Sequence, residues 1–144
     1  MAQHFTRTEI LSKFASCTNC AQCALGAWAD ELGYDEEELY RVAAGFGGGM
    51  TRGETCGAVT GSIMALGLRF GGTGKDNKEF MHEKVQAYQD EFIKRFGSTQ
   101  CSQLLDTGMQ PGPEADAAEL DRRHELCPNL VIASIDILEG LMDD

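Results

Sequence analysis

The stretch that decides the fold is Gly45-Phe-Gly-Gly-Gly-Met-Thr-Arg-Gly-Glu-Thr-Cys-Gly-Ala-Val-Thr-Gly-Ser-Ile-Met-Ala-Leu-Gly-Leu-Arg-Phe70, a glycine-packed segment running into a helical pattern with Cys56 in its first turn. Gly45, Gly47, Gly48, Gly49 and Gly53 predict a tight loop, because glycine accepts positive φ and close backbone approach at an entropic cost. That cost beside a cysteine implies a backbone pressed against something. A cofactor is the favoured reading for Gly47, Gly48, Gly49 and Gly57, with a neighbouring helix as the other. Downstream, Gly57, Gly61, Ala65 and Gly67 form a small-residue seam beside the bulk of Val59, Ile63, Met64, Leu66 and Leu68. A mid-helix glycine costs about 1 kcal/mol against alanine, so the seam predicts close helix packing.

Upstream of the loop, Ile10, Leu11 and Phe14 stand at helical spacing, with Thr6 or Thr8 as caps. A second helix is expected from Asn19 or Cys20 to Leu32, with Ala21, Leu25, Trp28 and Leu32 on one face and Gly33 after its end. Asp35-x-x-Glu38 reads as a variant capping box for a third helix that turns Leu39, Val42, Ala43 and Phe46 inward. Beyond the loop, Phe80, Met81, Val85, Tyr88, Phe92 and Phe96 recur at three- and four-residue steps and predict a long amphipathic helix over 77–96, closed by Gly97. Ser98 caps a short turn over 101–105, and a loop follows through 108–113. Pro113 suits the first turn of a helix reaching about Glu125. Pro128 suits the first turn of another, with Cys127 as its N-cap and Leu130, Val131, Ser134, Ile137, Leu138 and Leu141 inward. No segment alternates with period two. The reading is all-α: a compact single-domain helical bundle of about six to eight helices over residues 1–144.

The 144 residues suffice for a core that needs no disulfide staples. A net charge of −11 argues against nucleic acid or an anionic membrane surface as partner. Residues 114–144 carry nine acids and two bases, a surface suited to a basic redox partner protein or simply to solvent. The first fifteen residues contain no apolar run for a signal peptide, and no membrane insertion is expected, so a cytoplasmic protein is expected. A homodimer stays open. Six cysteines in a reducing compartment point to metal binding or thiol redox chemistry.

Cys20, Cys56, Cys101 and Cys127 all fall at expected helix starts, where unpaired N–H groups stabilise a thiolate, a metal-bound sulfur or a cluster sulfide. Cys17, Cys20 and Cys23 make a C-x2-C-x2-C run like the first three ligands of a bacterial ferredoxin, but the Cys-Pro of that motif is displaced to 127–128. Cys23 also reads as a buried small residue. Zinc suits four thiolates, yet structural zinc sites pair cysteines two to four residues apart, which only 17, 20 and 23 do. His4, His82 and His124 have no partner pattern. Residues 48–55 imitate a phosphate-binding loop, but Glu54 stands where the lysine should be and no strand precedes it.

Asn19-Cys20-Ala-Gln22, Gly45-Phe-Gly-Gly-Gly-Met50, Gly53-Glu-Thr-Cys-Gly-Ala-Val-Thr-Gly61, Cys101-x2-Leu-Leu105 and Cys127-Pro128 together resemble the C_GCAxxG_C_C family, named for suspected redox activity. The resemblance covers nearly the whole chain. It carries the four family cysteines onto Cys20, Cys56, Cys101 and Cys127 and the Cys-Gly-Ala-x-x-Gly motif onto residues 56–61, while Cys17 and Cys23 are additions to the pattern. The leading expectation is a redox or electron-transfer protein whose four cysteines bind an iron–sulfur cluster, [2Fe–2S] ahead of [4Fe–4S]. The alternatives are a thiol–disulfide enzyme with Cys56 as nucleophile and a zinc-stabilised interaction module.

Overall fold

The computed structural model describes residues 5–105 and 117–143, and the expected loop at 108–113 and the helix start at Pro113 lie outside them. Among the described residues the fold is all-helical. Its eight α-helices run α1 (Arg7–Ala15), α2 (Cys20–Gly26), α3 (Ala29–Leu32), α4 (Glu36–Ala43), α5 (Gly57–Phe70), α6 (Lys75–Phe96), α7 (Cys101–Leu105) and α8 (Ala117–Glu139). No helix there is long and apolar enough to cross a membrane.

Local chemistry sets the starts and stops. Thr6 caps α1 through a reciprocal pair: Glu9 N–H donates to Thr6 Oγ1 at 3.1 Å, and Thr6 N–H donates to Glu9 Oε1 at 2.7 Å. Asp35 caps α4 by accepting from Glu38 N–H. Gly33 and Gly97 adopt the left-handed conformation that ends α3 and α6. The helix expected over 20–32 is broken after Gly26, and Trp28 sits in the break with its side chain 1 % exposed. Ending α2 there lets the indole reach the core.

The layers meet on α5. Every residue of α2 except Gln22 is buried, and this short helix lies across the first two turns of α5. A Cβ on Gly61 would stand 2.5 Å from the Ala21 carbonyl oxygen, and one on Gly57 would stand 2.8 Å from the Ala21 nitrogen. Backbone therefore packs on backbone, which explains two of the helix's costly glycines. Gly67 has open space around it and is not explained this way. Helices α6 and α8 pack on other sides of α5, with Tyr88, Phe92, Leu130, Val131 and Leu138 fully enclosed. The Phe92 and Phe96 ring centroids lie 4.9 Å apart, and along the stripe of α6 Tyr88 and Phe92 are core while Met81, Val85 and Phe96 pack half-buried against it.

Two expectations about faces fail. Val42 is 63 % exposed, because α4 lies on the outside of α2 and buries only Leu39 and Ala43. Cys127 does not begin a helix: α8 runs unbroken through Pro128. An internal proline forfeits one helical hydrogen bond at about 3 kcal/mol. Here its ring is buried in the core, and Asn129 Nδ2 donates to the Glu125 carbonyl at 3.1 Å in the same turn.

The α2–α5 contact makes a stability prediction. Gly61→Ala gains helix propensity, but its methyl group meets the Ala21 carbonyl, so urea unfolding should show a net loss of about 1–3 kcal/mol. A variant as stable as the parent would contradict the close crossing.

Candidate four-thiol site

Cys20 is placed by the residues flanking it. Asn19 Oδ1 accepts from Gln22 N–H at 2.8 Å, and Asn19 N–H donates to Gln22 Oε1 at 2.9 Å, a second capping box that holds Cys20 as the first residue of α2. The same side chains reach outward. Asn19 Nδ2 donates to the Ala44 carbonyl at 3.1 Å, and Gln22 Nε2 donates to the Tyr40 carbonyl at 3.0 Å, tying the helix start to the end of α4. Asn19 and Gln22 were not singled out as site residues in the sequence, although Asn-x-x-Gln ahead of an apolar run carries the capping signal.

Cys56 and Cys101 are fastened to each other's strands of chain. Cys56 N–H donates to the Thr99 carbonyl at 2.7 Å and Cys101 N–H to the Glu54 carbonyl at 2.6 Å, around an isolated antiparallel bridge between Thr55 and Gln100. Cys56 becomes the N-cap of α5 and Cys101 the first residue of α7. The glycine loop is wound beneath them. Gly48, Gly49, Met50 and Thr51 all have φ between 58° and 62°, a left-handed turn that is costly for Met50 and more so for β-branched Thr51. At Gly49 a Cβ would come 2.5 Å from the Glu54 nitrogen and 2.9 Å from Cys101 Cβ; at Gly47 it would meet Asn19 Cβ at 2.7 Å. Protein fills these approaches. The loop's close contacts are with the segments that carry Cys20 and Cys101.

Cys127 arrives from the middle of α8, so three of the four family cysteines occupy helix starts and the fourth does not. All four are buried, at 9, 2, 6 and 6 % exposure for Cys20, Cys56, Cys101 and Cys127. They are near enough to act on one another's ionisation. A hydrogen bond with the Cys127 thiol, burial, and the charges Cys127, Cys56 and Cys101 would carry when ionised together hold the Cys20 thiol well above the ordinary range. Burial pushes the Cys56 thiol up to about 12; the Ala58 and Val59 backbone N–H groups face its sulfur and pull the other way. These approaches are looser than a full capping hydrogen bond. Cys56 is therefore not the low-pKa nucleophile that its place at a helix start suggests, because desolvation outweighs the helix terminus.

The other two cysteines stand apart. Cys23 is fully buried on α2, held up to about 12 by burial, and its charged neighbours are Lys13 and Glu36 rather than the other thiols. Cys17 is exposed. All six are free thiols. His82 is exposed on α6. Among the described residues, no three His, Cys, Asp or Glu side chains are spaced to hold one metal ion.

Fold and site together define a small helical protein with four buried thiols, carried by α2, α5, α7 and α8, that act on one another's ionisation. The model of a family described as "Putative redox-active protein (C_GCAxxG_C_C)" matches residues 18–141, and the chain belongs to that family. No curated protein and no solved structure matches it.

Burial makes a labelling prediction for the native protein kept reduced and treated with chelator. A maleimide should modify Cys17 at least about 100-fold faster than any other cysteine, since the other five are buried away from the reagent. Peptide mapping that finds Cys20 or Cys127 labelled as fast as Cys17 would contradict the buried group.

Proposed function

We propose that this redox-active family member is an electron-transfer protein in which Cys20, Cys56, Cys101 and Cys127 hold an iron–sulfur cluster, with [2Fe–2S] favoured over [4Fe–4S]. The observation that carries the reading is the meeting of four buried thiols from α2, α5, α7 and α8. Each thiol opposes ionisation of its neighbours, so the group becomes anionic only with a compensating cationic centre, and soft thiolates select such centres. A cluster distributes its cysteines over more than one iron, so the four need not close on a single point. That favours a cluster over one zinc ion.

When bound, the cluster supplies one-electron chemistry; the chain supplies everything around it. Burial excludes water from the sulfurs, the Asn19–Gln22 box and the Thr55–Gln100 bridge fix three cysteines, and Ala58 and Val59 aim N–H groups at one sulfur. Gly47, Gly48, Gly49 and Gly57 serve the site by letting the loop and α5 close on the cysteine-bearing segments. A net charge of −11 suits a basic redox partner, and the free thiols suit the cytoplasm.

One contact favours a second reading. The hydrogen bond between the Cys20 and Cys127 thiols supports reversible disulfide formation between them, which would make the protein a two-electron thiol carrier.

Iron and sulfide counted in anaerobically reconstituted Cys→Ser variants separate the two. Substitution at 20, 56, 101 or 127 should abolish at least about nine-tenths of the bound iron, whereas Cys17→Ser and Cys23→Ser should retain it. Loss at 17 and 23 with retention at 101 and 127 would move the site to the local C-x2-C-x2-C run. A wild-type protein that holds neither iron nor sulfide would hand the function to the Cys20–Cys127 pair.

A further inference from the structure

Cys56 is the N-cap of α5, the position whose side chain lies beside the N–H groups of the helix's second and third residues, here Ala58 and Val59, although no full capping hydrogen bond reaches its sulfur. Each of the peptides that carry these N–H groups has its carbonyl oxygen bonded by a side-chain hydroxyl. The peptide that ends in Ala58 N–H begins with the Gly57 carbonyl, which accepts from Thr60 Oγ1 at 3.2 Å. The next begins with the Ala58 carbonyl, which accepts from Tyr88 Oη at 3.3 Å, and ends in Val59 N–H, shared with the Cys56 carbonyl at 2.9 Å.

We propose that Thr60 and Tyr88 are positioning residues for the Cys56 sulfur, each polarising one of the two peptides that face it and together raising the reduction potential of the centre the thiols hold. The inference rests on the cluster reading above. A hydrogen bond to a peptide oxygen strengthens the N–H at the other end of the same peptide. Donors to a cluster sulfur stabilise the reduced state, which carries one more negative charge, and so raise the potential.

Tyr88 carries the stronger part of the argument. It comes from α6, 30 residues away in sequence from Ala58, and its side chain is fully buried. A phenylalanine would fill the same apolar surroundings without a hydroxyl to satisfy. Instead the phenol oxygen lies 2.7 Å from Ser134 Oγ on α8, another fully buried polar group. With Ser134 donating to the phenol oxygen, the phenol hydrogen is free to donate to the Ala58 carbonyl. The result is a relay of hydrogen bonds from α8 through α6 to the peptide behind Cys56.

The test compares Tyr88→Phe, Thr60→Val and the double variant with wild type, all reconstituted without oxygen, by redox titration, iron and sulfide content, and thermal unfolding. Each single variant should keep wild-type iron and sulfide and titrate at lower potential. Its oxidised form should be favoured by about three- to tenfold at the wild-type midpoint, tenfold being about 59 mV for one electron. The double variant should shift further than either single. Should Tyr88→Phe fail to fold, Thr60→Val alone carries the comparison. Lowered melting temperatures with unchanged potentials would assign both hydroxyls to stability and overturn the inference. A wild-type protein without iron and sulfide would overturn the cluster reading and this inference together; a loaded wild type with unshifted variants overturns this inference alone.

Discussion

The structure depends on one backbone contact, that of α2 lying against Gly57 and Gly61 of α5. With Ala21 oxygen 2.5 Å from where a Gly61 Cβ would be, the two helices are as close as backbones allow. That closeness sets the distance between Cys20, first residue of α2, and Cys56, N-cap of α5. A Cβ on Gly57 would also touch Cys20 Cβ at 3.0 Å, so the same glycine that permits the crossing clears room at the first cysteine. The other two thiols are positioned relative to this pair: Cys101 through the bridge that ties it to the Cys56 segment, Cys127 through the packing of α8 on both helices.

Much of this was legible in the sequence. Helical periodicity, with no period-two run, fixes the class, and Gly33, Gly97 and Asp35-x-x-Glu38 mark ends that the chain uses. The small-residue seam correctly announces a close crossing at Gly57 and Gly61, though nothing in the pattern separates those from Gly67, where an added Cβ would meet nothing. Tertiary packing overrode local signals at two places. The continuous apolar pattern of 20–32 hides the break that turns Trp28 inward, and Cys127-Pro128 mimics a helix start inside α8. A proline reads as a boundary because local cost is all the sequence displays. Burial of its ring offsets that cost, and burial is decided by residues far away in the chain.

The placement of Cys20, Cys56 and Cys101 at helix starts was legible in the sequence, and their electrostatics less so. Dispersed cysteines beside helix starts suggest activated thiolates, and the glycine loop suggests a cradle for a ligand. Burial reverses the first inference, since desolvation at Cys56 outweighs the N–H groups facing it. For the second, the structure adds a protein-side reason for the glycines: at Gly47 and Gly49 the loop lies against Asn19, Glu54 and Cys101. Its strained turn at Met50 and Thr51 is held by these contacts and in turn holds the cysteine segments. The separation of Cys23 from the other thiols also needed three dimensions, because on α2 it lies a single turn from Cys20 yet faces Lys13 and Glu36.

Four thiols buried together, with ionisation of the Cys20 and Cys56 sulfurs opposed by burial and by the neighbouring thiols, are proposed to become anionic only around a cationic centre. Iron K-edge X-ray absorption on the anaerobically reconstituted protein tests that claim most directly. The account predicts iron coordinated by sulfur alone, with a second iron as near neighbour. Iron bound by nitrogen or oxygen, or isolated iron with no iron neighbour, would contradict it.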